Sequence, residues 1–154
     1  MFGYLFKMIA LVQRVANASI IIDQKVYSKI NQGLLILLGI HNNDNKSDAD
    51  FLCKKIRHLR IFSDKNNKMN LSVMDINKEI LLVSQFTLYG KCEKGNRPSF
   101  IDSASSAHAE PLYNYIISQF KNYKITTETG EFGANMQVNL VNDGPVTLII
   151  DSKK

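Results

Sequence analysis

The chain has 154 residues, 45% of them hydrophobic and 21% charged, which is the composition of a soluble globular protein able to bury a core without metal or disulfide support. No apolar run is long enough to cross a bilayer, and residues 1–8 lack the basic start and cleavage site of a signal peptide. The net charge of +5 fits either a solvated basic surface or a polyanionic partner such as RNA. Two cysteines, Cys53 and Cys92, make no disulfide framework, so we expect reduced thiols and a cytoplasmic location.

Strand patterns dominate the first forty residues. Residues 9–15 and 18–22 are rich in apolar and β-branched side chains, and we expect two paired strands there, with residues 26–30 continuing the sheet. Residues 33–40, GLLILLGI, are continuously apolar, which predicts a strand buried on both faces.

The first predicted helix follows the polar loop HNNDNKSD. Ser47 is its expected N-cap, with Asp50 three residues later. Leu52, Ile56 and Leu59 then recur at helical spacing and predict the buried stripe.

The second predicted helix begins between residues 105 and 110 and ends near residue 121. Its buried stripe is Leu112, Ile116 and Phe120. Pro111 is compatible with this helix only near its first turn, because proline lacks the N–H that later turns require.

The last part of the chain predicts two further strands, over residues 136–140 and 146–150. Asn-Asp-Gly-Pro at 142–145 lies between them, and its composition alone favours a hairpin turn. Taken together, the elements predict a mixed, sheet-rich α/β domain with two helices covering one face.

The common catalytic signatures are absent from the sequence. His41, His58 and His108 have no metal-ligand spacing, and there is no CxxC pair, nucleophile elbow or phosphate-binding glycine loop. We therefore expect no metal and no cofactor. We expect each histidine to be a surface or interface residue rather than a catalyst, and His41, which follows a buried strand, is the best candidate of the three for a catalytic role.

A polar run follows the apolar residues 81–83. If the strand continues, Gln85 and Thr87 lie on one face. That face is either exposed to solvent or turned into a pocket at the end of the strand, where hydroxyl, amide and backbone N–H groups meet a polar ligand. Spacing alone leaves both interpretations open.

Several motifs occur together in one order along almost the whole chain. They are MIALVQRV at 8–15, LLILLGI at 34–40, LRIFSD at 59–64, KMNLSV at 68–73, VSQFTL at 83–88, GNRPSF at 95–100, TGEFGANMQV at 129–138 and NDGPVT at 142–147. In this order the chain resembles the D-aminoacyl-tRNA deacylase family. The resemblance implies one domain over 8–154, in a layered β-β-α sandwich or flattened barrel. Residues 1–7 precede the usual start of the family and are expected to be an N-terminal extension, with Met8 as an alternative initiator.

The resemblance also implies an active site for hydrolysis of the ester bond of D-aminoacyl-tRNA and of mischarged glycyl-tRNA. The reacting ester would lie near Ser84, Gln85, Phe86 and Thr87. In the family Thr87 is either a nucleophile or a group that orients water, and a 2′-hydroxyl of the RNA is the alternative proton carrier. We favour the 2′-hydroxyl, because the sequence offers no base ready to activate Thr87.

Chiral selection is implied for the NDGP segment. In the family the Gly-Pro peptide, here Gly144-Pro145, is cis and reaches across a homodimer into the active site of the other subunit, where it excludes L-amino acids. Asn142 belongs to the same motif, and Arg14 is expected to support it. Met136 and Phe132 would line the pocket.

The expected partners are the 3′ end of aminoacylated tRNA and a second copy of the chain, with no membrane and no DNA. Lys91, Lys94 and Arg97 are candidate phosphate contacts in an exposed loop. A non-catalytic, basic RNA-binding module is the alternative function. The aromatic pattern of an RNA-recognition sheet is absent, which weakens that alternative.

Overall fold

The computed structural model describes residues 7–153, so the predicted N-terminal extension lies outside the described residues apart from Lys7. In chain order the elements are β1 (Ile9–Ile22), β2 (Lys25–Ile30), β3 (Gly33–Gly39), α1 (Lys46–His58), β4 (Phe62–Ser63), β5 (Met69–Leu71), β6 (Glu79–Ser84), a 3₁₀ helix (Phe86–Tyr89), α2 (Ser106–Asn122), β7 (Thr127–Thr129) and β8 (Gln137–Asp151).

The main sheet has the order β2-β1-β3-β6-β7. β8 lies outside this order and also pairs with β1. β1 is antiparallel to β2, β3 and β8, whereas β3, β6 and β7 run parallel. Parallel neighbours require crossover connections, and α1 and α2 supply them. The mixed α/β prediction is confirmed.

Two cores lie on opposite faces of this sheet. Alternate residues of β3 and β6, such as Leu34 and Leu82, pack against the buried stripes of both helices. The residues between them, such as Leu35 and Leu81, face the opposite side of the sheet. There they pack with the C-terminal half of β1 and the N-terminal half of β8. Gly33 allows β3 to start close to β6, because a Cβ there would overlap the carbonyl oxygen of Glu79. The result is a layered, nearly closed sheet with helices on one side.

The strand predictions were wrong at two places. Residues 9–22 form one continuous strand, and so do residues 137–151. β8 runs antiparallel to β1 along nearly its full length, so the NDGP segment is not a hairpin turn. Val15 pairs with Asn142 and Gln13 with Thr147, which leaves residues 143–146 opposite Arg14 as a bulge.

The helix predictions were right in position and wrong in three details, the first being that Leu59 is the C-cap of α1 and not part of its buried stripe. Asn45, rather than Ser47, is the N-cap of α1, and its partner in the capping box is Asp48. Pro111 lies in the second turn of α2, not the first. No helix within residues 7–153 combines the length and the hydropathy that a membrane crossing requires.

Candidate active site

An open cavity of about 680 Å³ lies at the end of β6. This volume is within the range of small-molecule sites, about 300–1,000 Å³. Five predicted site residues line it: Ser84, Gln85, Phe86, Phe132 and Met136. The lining also includes residues that the sequence did not single out, namely Phe100, Ser103, Ala104, Ser105, Ser106, Ala109, Ala134 and Asn135. Three of them do lie in motifs noted in the sequence: Phe100 in GNRPSF, and Ala134 and Asn135 in TGEFGANMQV.

The backbone changes direction where β6 meets the cavity. β6 ends at Ser84 and a 3₁₀ helix begins at Phe86, so Gln85 and Thr87 do not share a strand face as predicted. Instead the side-chain amide of Gln85 donates to the Thr87 hydroxyl. Thr87 is exposed and lies outside the cavity lining.

The start of the 3₁₀ helix presents backbone donors. The Gln85 N–H donates to the Leu38 carbonyl (2.8 Å), and the Leu88 N–H donates back to Gln85. Between them, the N–H groups of Phe86 and Thr87 have no acceptor within residues 7–153. Such unpaired donors, next to a cavity, suit an oxygen that gains negative charge.

Aromatic rings form two walls of the cavity. Phe86 and Phe100 meet edge to face, with ring centroids 5.1 Å apart, and Phe86 is 55% exposed. Phe132 packs on Tyr113 (5.6 Å), whose hydroxyl donates to the Leu82 carbonyl at 2.8 Å. Burial raises the pKa of the Tyr113 hydroxyl, so this group stays a neutral donor that anchors the wall.

His41 has a structural role rather than the catalytic one considered from the sequence. It is 7% exposed, its Nδ1 accepts from the Asn43 N–H (3.1 Å), and its ring meets Tyr89 edge to face. The His41 N–H donates to the buried carboxylate of Asp44 at 2.6 Å. This polar layer supports the loop that carries Ser103, because His41 and Ser103 form a β-bridge.

Asp44 should make stability depend on pH. Burial raises its pKa from 3.8 to about 6. The folded state therefore holds more protons than the unfolded chain between these values, and the free energy of unfolding should rise as the pH falls from 7 to 5. Asp44→Asn keeps an oxygen for the His41 N–H and cannot titrate. Denaturant midpoints of both proteins at pH 5, 6 and 7 test this, and a constant difference between them would contradict it.

The bulge of β8 is held by two side chains. The peptide bond between Gly144 and Pro145 is cis, and both residues are exposed. Arg14, itself 9% exposed, donates from Nε to the Asp143 carbonyl (3.0 Å) and from Nη1 to the Ile61 carbonyl (2.7 Å). The Asn142 amide donates to the carbonyls of Arg14 and Val146 at 3.1 and 3.0 Å. The position of the bulge is thus set from both ends.

The bulge lies apart from the cavity of its own subunit. Neither Arg14 nor any residue of 142–146 lines that cavity. Arg14 pairs with Leu34 of β3, whereas Ser84 at the cavity pairs with Leu38, four residues further along. At about 3.3 Å per residue this separates the two sites by roughly 13 Å along the strand.

The predicted phosphate contacts differ in their surroundings. Lys91 pairs with Asp102 (2.6 Å), whose hydrogen bond raises the pKa of Lys91. Lys94 and Arg97 are exposed and form no salt bridge within residues 7–153. Only these two cations of the loop are available to a ligand without breaking an ion pair.

Known proteins resemble this chain over nearly its whole length. The model of a family described as D-Tyr-tRNA(Tyr) deacylase matches residues 11–151. A D-aminoacyl-tRNA deacylase of Thermosipho africanus is 57% identical over 145 residues, covering 94% of this chain and 97% of the relative. A D-aminoacyl-tRNA deacylase of Finegoldia magna is 55% identical, with coverages of 93% and 97%. The chain belongs to the D-aminoacyl-tRNA deacylase family.

Solved structures share the fold of this chain. One, described as a c-Myc DNA unwinding element binding protein, is 41% identical and has a TM-score of 0.89. The alignment covers 95% of this chain and 99% of that protein. Another, a probable eukaryotic D-amino acid tRNA deacylase, has a TM-score of 0.83 at 15% identity, which shows the shared fold alone. Within residues 7–153 no group of His, Cys, Asp and Glu has the arrangement of a metal site.

Proposed function

We propose that this deacylase hydrolyses D-aminoacyl-tRNA in a cavity that is completed by the Gly144-Pro145 bulge of a second subunit. Family membership makes it a hydrolase acting on the ester bond of aminoacyl-tRNA. The observation that carries the proposal is the cavity at the end of β6, which has aromatic walls and adjoins a 3₁₀ helix whose first two backbone N–H groups have no acceptor within residues 7–153. Since tRNA is its substrate, we assign the enzyme to the cytoplasm.

Backbone donors are sufficient for the chemistry. A water oxygen adds to the ester carbonyl carbon, the bond to the ribose oxygen breaks, and that oxygen takes up a proton. The N–H groups of Phe86 and Thr87 would stabilise the oxyanion in between. The adjacent 2′-hydroxyl of the RNA carries the proton, because the described cavity lining includes no histidine, carboxylate or lysine that could act as a base.

Selection against L-amino acids is assigned to the bulge. Its backbone carbonyls would accept from the substrate α-amino group, and its rigid position would leave no room for a side chain of the L configuration. Arg14 and Asn142 supply that rigidity through four hydrogen bonds to the surrounding backbone. Glycine has no side chain to exclude, so glycyl-tRNA should also be a substrate.

A second subunit is needed because the bulge does not reach the cavity of its own chain. β8 supports this arrangement, since among the described strands it pairs with β1 alone and leaves its outer edge open. It also exposes Val141, Leu148 and Ile149 by 53%, 38% and 69%. A long apolar edge strand of this kind is usually covered by another chain.

Ile149→Lys should convert the dimer into an inactive monomer. A two-fold interface repeats every substitution, so two unpaired cations would have to be buried in it. Val26→Lys is the matched control, because Val26 is 62% exposed on β2. Sedimentation and deacylation should be measured on both variants. A fully active monomer at working concentrations would contradict the dimeric site.

Deacylation of D-Tyr-tRNA and L-Tyr-tRNA by the purified protein, side by side, tests the function itself. We expect release of D-tyrosine and no acceleration with the L-substrate. Equal rates for the two substrates would overturn the selection mechanism. No hydrolysis of either, together with retained tRNA binding, would favour the RNA-binding alternative.

A further inference from the structure

The formal charge of the chain is concentrated in one segment. Residues 54–68, called the basic segment here, contain six Lys and Arg side chains and one carboxylate, that of Asp64. Their formal charge of +5 equals the net charge of the whole chain. The other residues carry thirteen Lys and Arg against thirteen Asp and Glu, so outside the basic segment the charges cancel.

The basic segment begins in a groove on the solvent face of α1. The groove has a volume of about 420 Å³ and is lined by Phe51, Lys54, Lys55, His58, Leu59 and Arg60. Lys54 and Lys55 are exposed, and the Lys55 ammonium lies 6.0 Å from the centre of the Phe51 ring. Cations beside a partly apolar floor suit a ligand with phosphates and sugars.

The charges of the groove lysines are not neutralised by ion pairs within the described part of the chain. Neither Lys54 nor Lys55 forms a salt bridge with a carboxylate of residues 7–153. Arg57 stacks on Tyr123, 3.5 Å from the ring centre, and Arg60 donates to the Asn70 carbonyl. The charges of Arg60 and His58 lower the pKa of Asp75, after larger effects from the Ser72 hydrogen bonds. A surface with this much uncompensated positive charge attracts polyanions.

The basic segment is tied directly to the Gly144-Pro145 bulge. One guanidinium, that of Arg14, binds the carbonyl of Ile61 in the basic segment and the carbonyl of Asp143 in the bulge. Arg60 adjoins Ile61 in sequence and is also the last lining residue of the groove, so the groove would extend from the part of the basic segment that Arg14 joins to the bulge. In the proposed dimer this position is the rim of the other subunit's cavity.

We propose that the basic segment binds the phosphate backbone of the tRNA whose aminoacylated 3′ end occupies the cavity of the other subunit. This inference rests on the proposed function, in which the bulge acts across the dimer. It moves the principal RNA contact away from the 91–97 loop, where Lys91 is paired with Asp102 and Glu93 lies close in sequence. Each tRNA would then contact both subunits, one through its ester and one through its phosphates.

The test compares two double variants of equal charge change. Lys54→Gln/Lys55→Gln removes two cations from the groove, and Lys25→Gln/Lys29→Gln removes two exposed cations from β2. Binding of uncharged tRNA is measured from 50 to 200 mM salt, and KM for D-Tyr-tRNA is measured in parallel. Each lost phosphate contact lowers the slope of log affinity against log salt by about 0.7 to 0.9.

We expect the slope of log affinity against log salt to be smaller by about 1.4 to 1.8 in the groove variant. Between 50 and 200 mM salt, the factor by which tRNA affinity decreases should therefore be roughly ten times smaller for the groove variant than for the unmodified protein. The KM of the groove variant for D-Tyr-tRNA should rise, whereas the β2 variant should keep the original slope. An unchanged slope in the groove variant, or an equal loss in both variants, would overturn the inference. If the unmodified protein binds tRNA but does not deacylate it, the proposed function fails, and the slopes still decide whether the groove binds RNA.

Discussion

Replacing Gly144 by Ala should reduce deacylation of D-Tyr-tRNA by about a hundredfold or more. Gly144 has φ +139°, a conformation that residues with a Cβ rarely adopt. A Cβ there would lie 2.7 Å from Val146 Cγ2, 2.8 Å from the Val146 nitrogen and 3.2 Å from Arg14 Nη2. The bulge must therefore move, and a displacement of about 1 Å at a reacting centre costs on the order of a hundredfold in rate.

Two other variants separate this effect from general damage and from chemistry at Thr87. Gly95→Ala is the matched control, since Gly95 also has positive φ and a Cβ there meets nothing within 4 Å. Thr87→Ala should cost much less than Gly144→Ala, because it removes an exposed hydroxyl outside the cavity lining and leaves the backbone donors in place. Single-turnover rates decide the matter. An inert Thr87→Ala beside a nearly normal Gly144→Ala would make Thr87 the nucleophile.

Arg14→Ala should weaken both the fold and the activity. It leaves the Ile61 carbonyl without its buried donor, and an unsatisfied buried polar group costs about 1–3 kcal/mol. It also releases the Asp143 carbonyl, so the bulge loses the contact that sets its position. We expect a lower denaturant midpoint and a loss of kcat/KM larger than the loss of stability explains. Arg14→Lys should restore more of the lost stability than of the lost activity. One ammonium cannot reproduce the geometry with which the guanidinium binds both the Ile61 and the Asp143 carbonyls.

Gln13→Ala is the control for this prediction. Gln13 neighbours Arg14 on β1, and its side-chain amide makes one hydrogen bond to β8, to the Thr147 hydroxyl at 3.3 Å. Its loss should change the midpoint slightly and leave deacylation near the original rate. If Arg14→Ala and Gln13→Ala lose activity equally, the deacylation rate depends on the pairing of β1 with β8 and not on the hydrogen bond from Arg14 to the bulge.

The order of the longer elements was predictable because they carry local signals, whereas β4, β5, β7 and the 3₁₀ helix were not predicted. The apolar run 33–40 became the central strand β3, and the spacing of Leu52 and Ile56 correctly placed α1. The cap of α1 was misplaced, since Asn45 and Ser47 both suit that position by composition. Only the reciprocal bond between Asp48 and Asn45 distinguishes them.

The course of β8 could not be read from local composition. Asn, Asp, Gly and Pro favour turns as isolated residues, and the hairpin prediction rested on that preference. In the fold, β1 continues past the segment and holds the strand on both sides of it. The hydrogen bonds of Arg14 and Asn142 then satisfy the irregular backbone. These contacts join residues more than 120 positions apart, which no sequence window reveals.

The composite site is tested most directly by complementation between subunits. One subunit carries Gly144→Ala, which damages the bulge, and the other carries Ser106→Trp, which places a large side chain at the cavity lining. Two different affinity tags isolate the heterodimer, and each homodimer is first shown to be inactive. If the bulge acts across the interface, the heterodimer has one intact site and should recover about half the D-Tyr-tRNA activity of the unmodified dimer. If the bulge serves its own subunit, both sites are damaged, and an inactive heterodimer would contradict the account.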